Sequence, residues 1–238
     1  MKNLFEVIAG SLLYAWRKQM NIPLPRKLYE VSRGGGDWQC AGFPLLGWLL
    51  GLLIALAGAL TELIFNVYAG ALVFAVLAWL LLFLRDSGKS DSLFAANIIN
   101  RLPDSNVPMQ TVVPVVLLLG RMILLVLLYV HGEMWHLPLV IGGIFTLEAI
   151  LTIDGSFMPP LVDDSPESRR NMVSIAVILA LVSFVFTPLA TALGVTVFLV
   201  IRQVAQHKSD GEGRDLMQIT LAGSGAGWAL LLAGVCAI

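Results

Sequence analysis

Residues Ala41–Leu84 read AGFPLLGWLLGLLIALAGALTELIFNVYAGALVFAVLAWLLLFL, and their reading decides the fold class. Two apolar runs, 41–60 and 67–84, flank a short break that carries Glu62 and Asn66. Each helical residue advances about 1.5 Å, so about 20 mostly apolar residues cross a hydrocarbon core. The two runs therefore predict a hairpin of membrane-spanning helices. An open sheet would leave backbone groups unpaired in lipid, which removes the strand alternative.

The pattern recurs outward from this hairpin. Apolar runs follow at 112–130, 137–153, 172–186 and 189–204, the last two parted only by Thr187 and Pro188. A final run, 216–238, holds Gly223, Gly225 and Gly227. The 238-residue chain is 58% hydrophobic and 13% charged, with a mean hydropathy of +0.84, which leaves no room for a sizeable soluble domain. The expectation is all-α: one polytopic integral membrane helix bundle over 1–238, with six to seven transmembrane helices. An amphipathic N-terminal helix precedes them within 1–40, read from Leu4, Phe5, Ile8, Leu12 and Leu13 at helical spacing. Its only positive flank is Lys2 and no small-residue cleavage site follows, so it does not read as a cleaved signal.

The charges orient the chain. Lys2, Arg17, Lys18, Arg26, Lys27 and Arg33 precede the first span, and Arg85, Lys89 and Arg101 follow the second. Arg169 and Arg170 follow the fourth, and Arg202, Lys208 and Arg214 the sixth. The links after the first, third and fifth spans carry no Lys or Arg. The positive-inside rule then predicts a cytoplasmic (inner) membrane protein whose N-terminus and long polar loops are cytoplasmic. A net charge of −1 gives no sign of a nucleic-acid partner. Cys40 and Cys236 make no redox or metal spacing. His131 and His136, with Trp135 between them, read as an interfacial aromatic belt.

The polar loops hold the candidate chemistry. Arg85-Asp86-Ser87-Gly88-Lys89-Ser90-Asp91 follows the second span. Two carboxylates there suit Mg²⁺ bridging phosphate oxygens, with Arg85 and Lys89 neutralising phosphate charge; a solvated mixed-charge loop also accounts for them. Gly88-Lys89-Ser90 lacks the upstream glycine-rich loop of a P-loop. Asp104 and Ser105 could join the acidic site, or cap a helix or turn. Asp163, Asp164 and Glu167 suit a cation or a Pro-rich loop ending in an N-cap. Asp210, in a Gly-rich stretch, suits close phosphate approach or a connector. Within the spans, Arg121 and Glu148 fall at similar depth on helices expected to be antiparallel neighbours. Their pairing would be structural, or would line a cavity for an anionic substrate.

One segment carries a family resemblance. Pro23-Leu24-Pro25-Arg26 ends the N-terminal helix, and Phe43-Pro44-Leu45-Leu46-Gly47-Trp48-Leu49-Leu50-Gly51 opens the first span. This resembles the cobalamin synthases, which join α-ribazole or its phosphate to adenosylcobinamide-GDP at the membrane and release GMP. Length and layout agree over most of the chain. The resemblance implies Mg²⁺ as cofactor, and Asp86, Asp91 and Asp104 as catalytic and metal-binding residues. Arg85, Lys89, Ser105, Arg121 and Asp210 are then the candidate contacts to corrinoid and ribazole substrates, with Glu148 added from its depth beside Arg121. The acidic motif departs from the family's: its His is missing, its second Asp comes one residue late, and Asn106 stands where a basic residue is usual. A second expectation is therefore a catalytically degenerate scaffold or complex subunit, oligomeric through Gly47, Gly51, Gly58, Gly223, Gly225 and Gly227. A third is a small-molecule transporter built on Arg121 and Glu148; internal repeats are not evident.

Overall fold

The structure, a computed structural model, describes residues 4–20, 22–86, 95–96, 99, 107–132, 136–153, 165–207 and 226–237. Its elements are α1 (Leu4–Gln19), α2 (Arg26–Ser32), a 3-10 segment (Arg33–Ala41), α3 (Gly42–Ile64), α4 (Val67–Asp86), α5 (Val107–His131), α6 (His136–Ile153), α7 (Pro166–Phe186), α8 (Pro188–His207) and α9 (Ala226–Cys236). The described elements are thus all helical. Four stretches are long and apolar enough to cross a membrane: Arg26–Ile64, Val67–Arg85, Thr111–His131 and Pro166–Phe186. Three apolar helices are shorter, His136–Leu147, Pro188–Gln203 and Gly227–Cys236. Large side chains such as Leu53, Leu72, Ile123, Val177 and Leu199 are more than half exposed. A belt of that extent suits lipid, not water.

Several starts follow from local chemistry. Pro44, Pro138, Pro166 and Pro188 sit in the first turns of α3, α6, α7 and α8, where a missing N–H costs nothing. The α7 start is also capped by Ser165, whose side chain accepts from the Ser168 amide at 3.1 Å. This cap carries α7 into the polar sequence ahead of its apolar run.

The tightest seam joins α3 to α6. A Cβ on Gly47 would lie 2.8 Å from the Ile141 carbonyl oxygen, and one on Gly51 2.7 Å from Pro138 Cα. Only glycine allows that backbone approach. Because Gly47 meets Ile141 and Gly51 meets Pro138, the two helices run antiparallel. Around the seam lie Phe43, Phe145, Ile141 and Leu46, all buried.

The α5–α6 pairing expected from chain order is corrected. α5 packs on α4 and α9, whereas α6 packs on α3, α7, α8 and α9. α9 wedges between them: Gly227 abuts Ile144 of α6 and Arg121 of α5, and Gly234 abuts Leu128 of α5 and His136 of α6. These contacts make α9 parallel to α5 and antiparallel to α6. A short hydrophobic helix can intercalate this way because its glycines present no bulk, which chain order cannot reveal. His136 is also corrected: it is 4% exposed, buried beside Gly234 and not in an outer belt. Trp135 lies outside the described residues.

α1 is amphipathic, but it turns its small and polar face inward. Gly10, Ser11, Tyr14, Ala15 and Gln19 are buried, while Leu4, Phe5 and Ile8 are exposed. Its partners are the 3-10 segment, α2 and α3, and Gln19 Nε2 donates to the Phe145 carbonyl at 3.0 Å. The apolar stripe is left for lipid and the small residues admit the protein backbone. The 3-10 segment turns at Gly36, whose φ of 54° is costly for any residue with a Cβ. It binds α7 through the Cys40 amide, which donates to Ser168 Oγ at 3.0 Å, and through Asn171 Nδ2, which donates to the Asp37 carbonyl at 3.0 Å.

Candidate functional site

Two ends of the bundle differ in chemistry. At the short-link end, Tyr129 Oη donates to Glu62 Oε2 at 2.7 Å, and the Tyr129 ring meets Phe74 at 5.0 Å. This ties α3, α4 and α5 together and gives Glu62 its partner. The opposite end, from which the long polar connections leave, gathers the arginines.

Arg85 closes the last full turn of α4 and is 4% exposed, with Nε and Nη1 sealed from solvent. Arg121 of α5 is 3% exposed, its guanidinium 5.6 Å over the Trp228 ring of α9. α4 and α6 both run antiparallel to α3, and α5 runs antiparallel to α6, so α4 and α5 are antiparallel. Counting from the Phe74–Tyr129 contact along both helices, Arg85 falls level with Leu118, and Arg121 lies ~4.5 Å from that level at ~1.5 Å per residue. Two buried cations thus occupy nearly one depth on packed helices. Charge buried inside a membrane bundle is costly to leave alone, and both arginines are engaged by other groups of the chain.

Glu148 is one helical turn beyond Ile144, the residue that shares Gly227 with Arg121. Its backbone is within α6; its side chain lies outside the described set. The Asp86 backbone ends α4, and its side chain is likewise not described. Lys89, Asp91, Asp104, Ser105 and Asp210 lie outside the described residues, as do Asp163 and Asp164. Among the described residues no group of three or more His, Cys, Asp or Glu side chains is placed to hold a metal ion.

Gly47, Gly51, Gly58 and Gly227, named above as small-residue faces, admit close neighbours within this chain. Gly47 and Gly51 seat α6, Gly58 meets Phe74 and the Tyr129 ring, and Gly227 meets Ile144. Gly223 and Gly225 lie outside the described residues.

Sequence reasoning missed a cavity of about 330 Å³ between α3, α6, α7 and α8. Trp48, Gly142, Ala176, Ala180 and Gly194 are among its walls, and Arg169 and Arg202 stand at its loop end. The available signal was the cluster of small residues on three helices, joined to arginines counted only as topology markers.

The loop-end surface also stacks cations on tyrosines. Arg17 lies 4.9 Å over the Tyr29 ring and Arg33 lies 5.1 Å over it. Arg33 Nη2 donates to Tyr29 Oη at 3.5 Å, and that bond, with the charges of Arg33 and Arg17, holds the phenol below its ordinary range.

No family model, curated protein or solved structure matches this chain.

Proposed function

We propose that this chain is a membrane-embedded phosphate-ester transferase of corrinoid metabolism, similar in kind to the cobalamin synthases. The observation that carries the reading is the buried pair Arg85 and Arg121, near one depth on adjacent helices. Preorganised guanidinium groups in a water-poor site stabilise the charge that develops on a transferring phosphoryl group. In the reaction, a ribazole hydroxyl oxygen bonds to the cobinamide phosphorus of adenosylcobinamide-GDP. The bond from that phosphorus to the GMP oxygen breaks, GMP leaves with the electron pair, and the hydroxyl proton passes to a base. Arg85 and Arg121 bind and orient the diphosphate, and Lys89, in the connection after α4, adds positive charge. Among the described residues no donor set fits Mg²⁺.

The reading includes seven crossings in a cytoplasmic membrane, with α6, α8 and the run ending in α9 as the shorter ones. The N-terminus and polar loops face the cytoplasm and the C-terminus faces outward. The alternating Lys/Arg distribution supports this arrangement, as does α9 running parallel to α5.

The test is GMP release by the purified protein in lipid, supplied with adenosylcobinamide-GDP, α-ribazole phosphate and Mg²⁺. Arg85→Gln and Arg121→Gln should each cut release about 10²–10³-fold. Release unchanged in both variants would remove the arginines from the mechanism.

A further inference from the structure

We infer that the α3–α6–α7–α8 cavity is a binding slot for one unbranched hydrocarbon chain of a bilayer lipid, entered sideways between α7 and α8, whatever headgroup that lipid carries. The inference uses none of the residues assigned to phosphate-ester transfer.

Two matched stripes frame the mouth. Val173 and Val177 stand one turn apart on α7, and Val195 and Leu199 one turn apart on α8, so each pair shares a helix face. All four line the cavity, and all four are exposed on the outside of the bundle. α7 and α8 are the arms of a hairpin about Thr187, where Thr187 Oγ1 donates to the Ser183 carbonyl at 3.1 Å. The opening therefore runs along the hairpin. It is continuous with the exposed apolar belt of the bundle, to which Val177 and Leu199 also belong. That belt faces hydrocarbon in a bilayer, so what meets the mouth is lipid tails and not water.

Inside the mouth there is room, and the polar groups of the wall are already occupied. Gly142 of α6, Ala176 and Ala180 of α7, and Gly194 of α8 leave the space that larger residues would fill. A Cβ on Gly194 would meet Leu139 and Leu230 only at 3.7 and 3.8 Å, ordinary contacts. The hydroxyl protons of the wall are spent on their own helices. Thr146 Oγ1 donates to the Gly142 carbonyl at 2.7 Å, and Ser183 Oγ to the Leu179 carbonyl at 2.9 Å. Trp48, Arg169 and Arg202, the remaining polar residues of the wall, are engaged by other groups of the chain. A polar ligand would give up its hydrogen bonds to water and recover few of them here. A hydrocarbon chain has none to lose.

The dimensions select a single chain. On α6 the wall runs from Leu139 to Ile150, about 16 Å at ~1.5 Å per residue. That is close to half of a ~30 Å hydrocarbon core. A volume of about 330 Å³ spread over that length has a mean cross-section of about 20 Å², the girth of one extended hydrocarbon chain. Fused rings, whether of a sterol or a corrin, are wider. A lipid's second chain finds no room beside the first and stays in the bilayer outside the valine and leucine stripes.

The experiment is native mass spectrometry of the full chain in a steroid-based detergent, whose rings the slot excludes, titrated with dioleoylphosphatidylcholine or dioleoylphosphatidylglycerol. One lipid should be retained per protein, and both lipids to the same extent, because their chains are identical. Oleoyl-lysophosphatidylcholine, which has one chain, should displace the retained lipid, and cholesterol should not. Gly194→Leu and Ala180→Phe fill the slot from α8 and from α7, and each should lose the lipid. Retention of neither lipid by the unaltered protein would overturn the proposal, as would retention that follows the headgroup. Displacement by cholesterol as readily as by the single-chain lipid, or retention that survives both substitutions, would do the same. A readout on the unaltered slot covers variants that do not fold. Phosphatidylcholine brominated in its chains should quench Trp48, identified by difference from Trp48→Phe, and unbrominated lysophosphatidylcholine should restore the emission. Absence of quenching, or quenching that the single-chain lipid leaves in place, counts against the slot.

Discussion

The α3–α6 seam and the α7–α8 hairpin draw on the same small and aliphatic residues, yet they pack in opposite ways. In the seam, Gly47 and Gly51 are pressed against backbone of the neighbouring helix. In the hairpin, Gly194, Ala176 and Ala180 open a cavity, and only 11% of the most apolar stretch of α7 is buried within the molecule. A small residue is a means of closing two backbones when it faces a second backbone. It is a means of making room when it faces another small residue. The first use fixes the bundle; the second leaves a face to lipid.

The comparison breaks most visibly by substitution at paired glycines. Gly51→Leu places a Cβ 2.7 Å from Pro138 Cα, where neither backbone can yield, so it should destabilise by about 1–3 kcal/mol or more. Gly194→Leu meets only the flexible ends of Leu139 and Leu230, at 3.7 and 3.8 Å from its Cβ, and should change stability by about 0.5 kcal/mol or less. Thermal unfolding in one detergent compares the two, and equal losses would show that the hairpin is as closely packed as the seam.

The hairpin is fastened at its loop end, where Ser168 is 3% exposed and accepts from the Cys40 amide. Ser168→Ala leaves that buried N–H without its partner and should cost about 1–3 kcal/mol. Hydrogen exchange should then rise at Cys40 and in the first turns of α7, while the seam stays protected. Protection lost equally in α3 and α6 would mean that the two regions unfold as one.

A smaller effect is expected at the short-link end. Tyr129→Phe removes the 2.7 Å bond to Glu62 but keeps the ring on Phe74, so about 1 kcal/mol should be lost. Thermal unfolding at neutral pH reads this directly.

The smallest effect lies on the surface. The pKa of Tyr29 is depressed by Arg33 and, less strongly, by Arg17. The lowering reflects the attraction of the two guanidinium groups for the tyrosinate form. That attraction is present in full above the unfolded pKa near 10 and is lost as pH falls through the lower folded pKa. A difference titration at 295 nm against Tyr29→Phe should place ionisation below 10, and Arg33→Gln should move it upward.

Much of the architecture was legible in Ala41–Leu84 and the runs after it, because lipid demands long apolar helices. The predicted run 172–186 becomes α7 from Pro166, since Ser165 and Pro166 start a helix in polar sequence that hydropathy passes over. Arg33–Ala41 shows no helical period, and its 3-10 form is set by contacts with α1 and α7. The insertion of α9 between α5 and α6 depends on Gly227 and Gly234 meeting side chains far away in sequence. For the candidate site, the sequence singled out Arg85 and Arg121 because charge in an apolar run is conspicuous. It did not single out the cavity below Arg169 and Arg202, which comes from small residues on three separate helices. Asp91 and Asp104 carry the acidic part of the resemblance from outside the described residues.

The measurement that tests the central claim most directly is GMP release by the purified chain in lipid nanodiscs, with and without Arg85→Gln. Phosphate-ester transfer at the buried arginines predicts release that falls about 10²–10³-fold in the variant while its helical content is unchanged. No release from the unaltered, folded chain, beside an active cobalamin synthase under the same conditions, would contradict it.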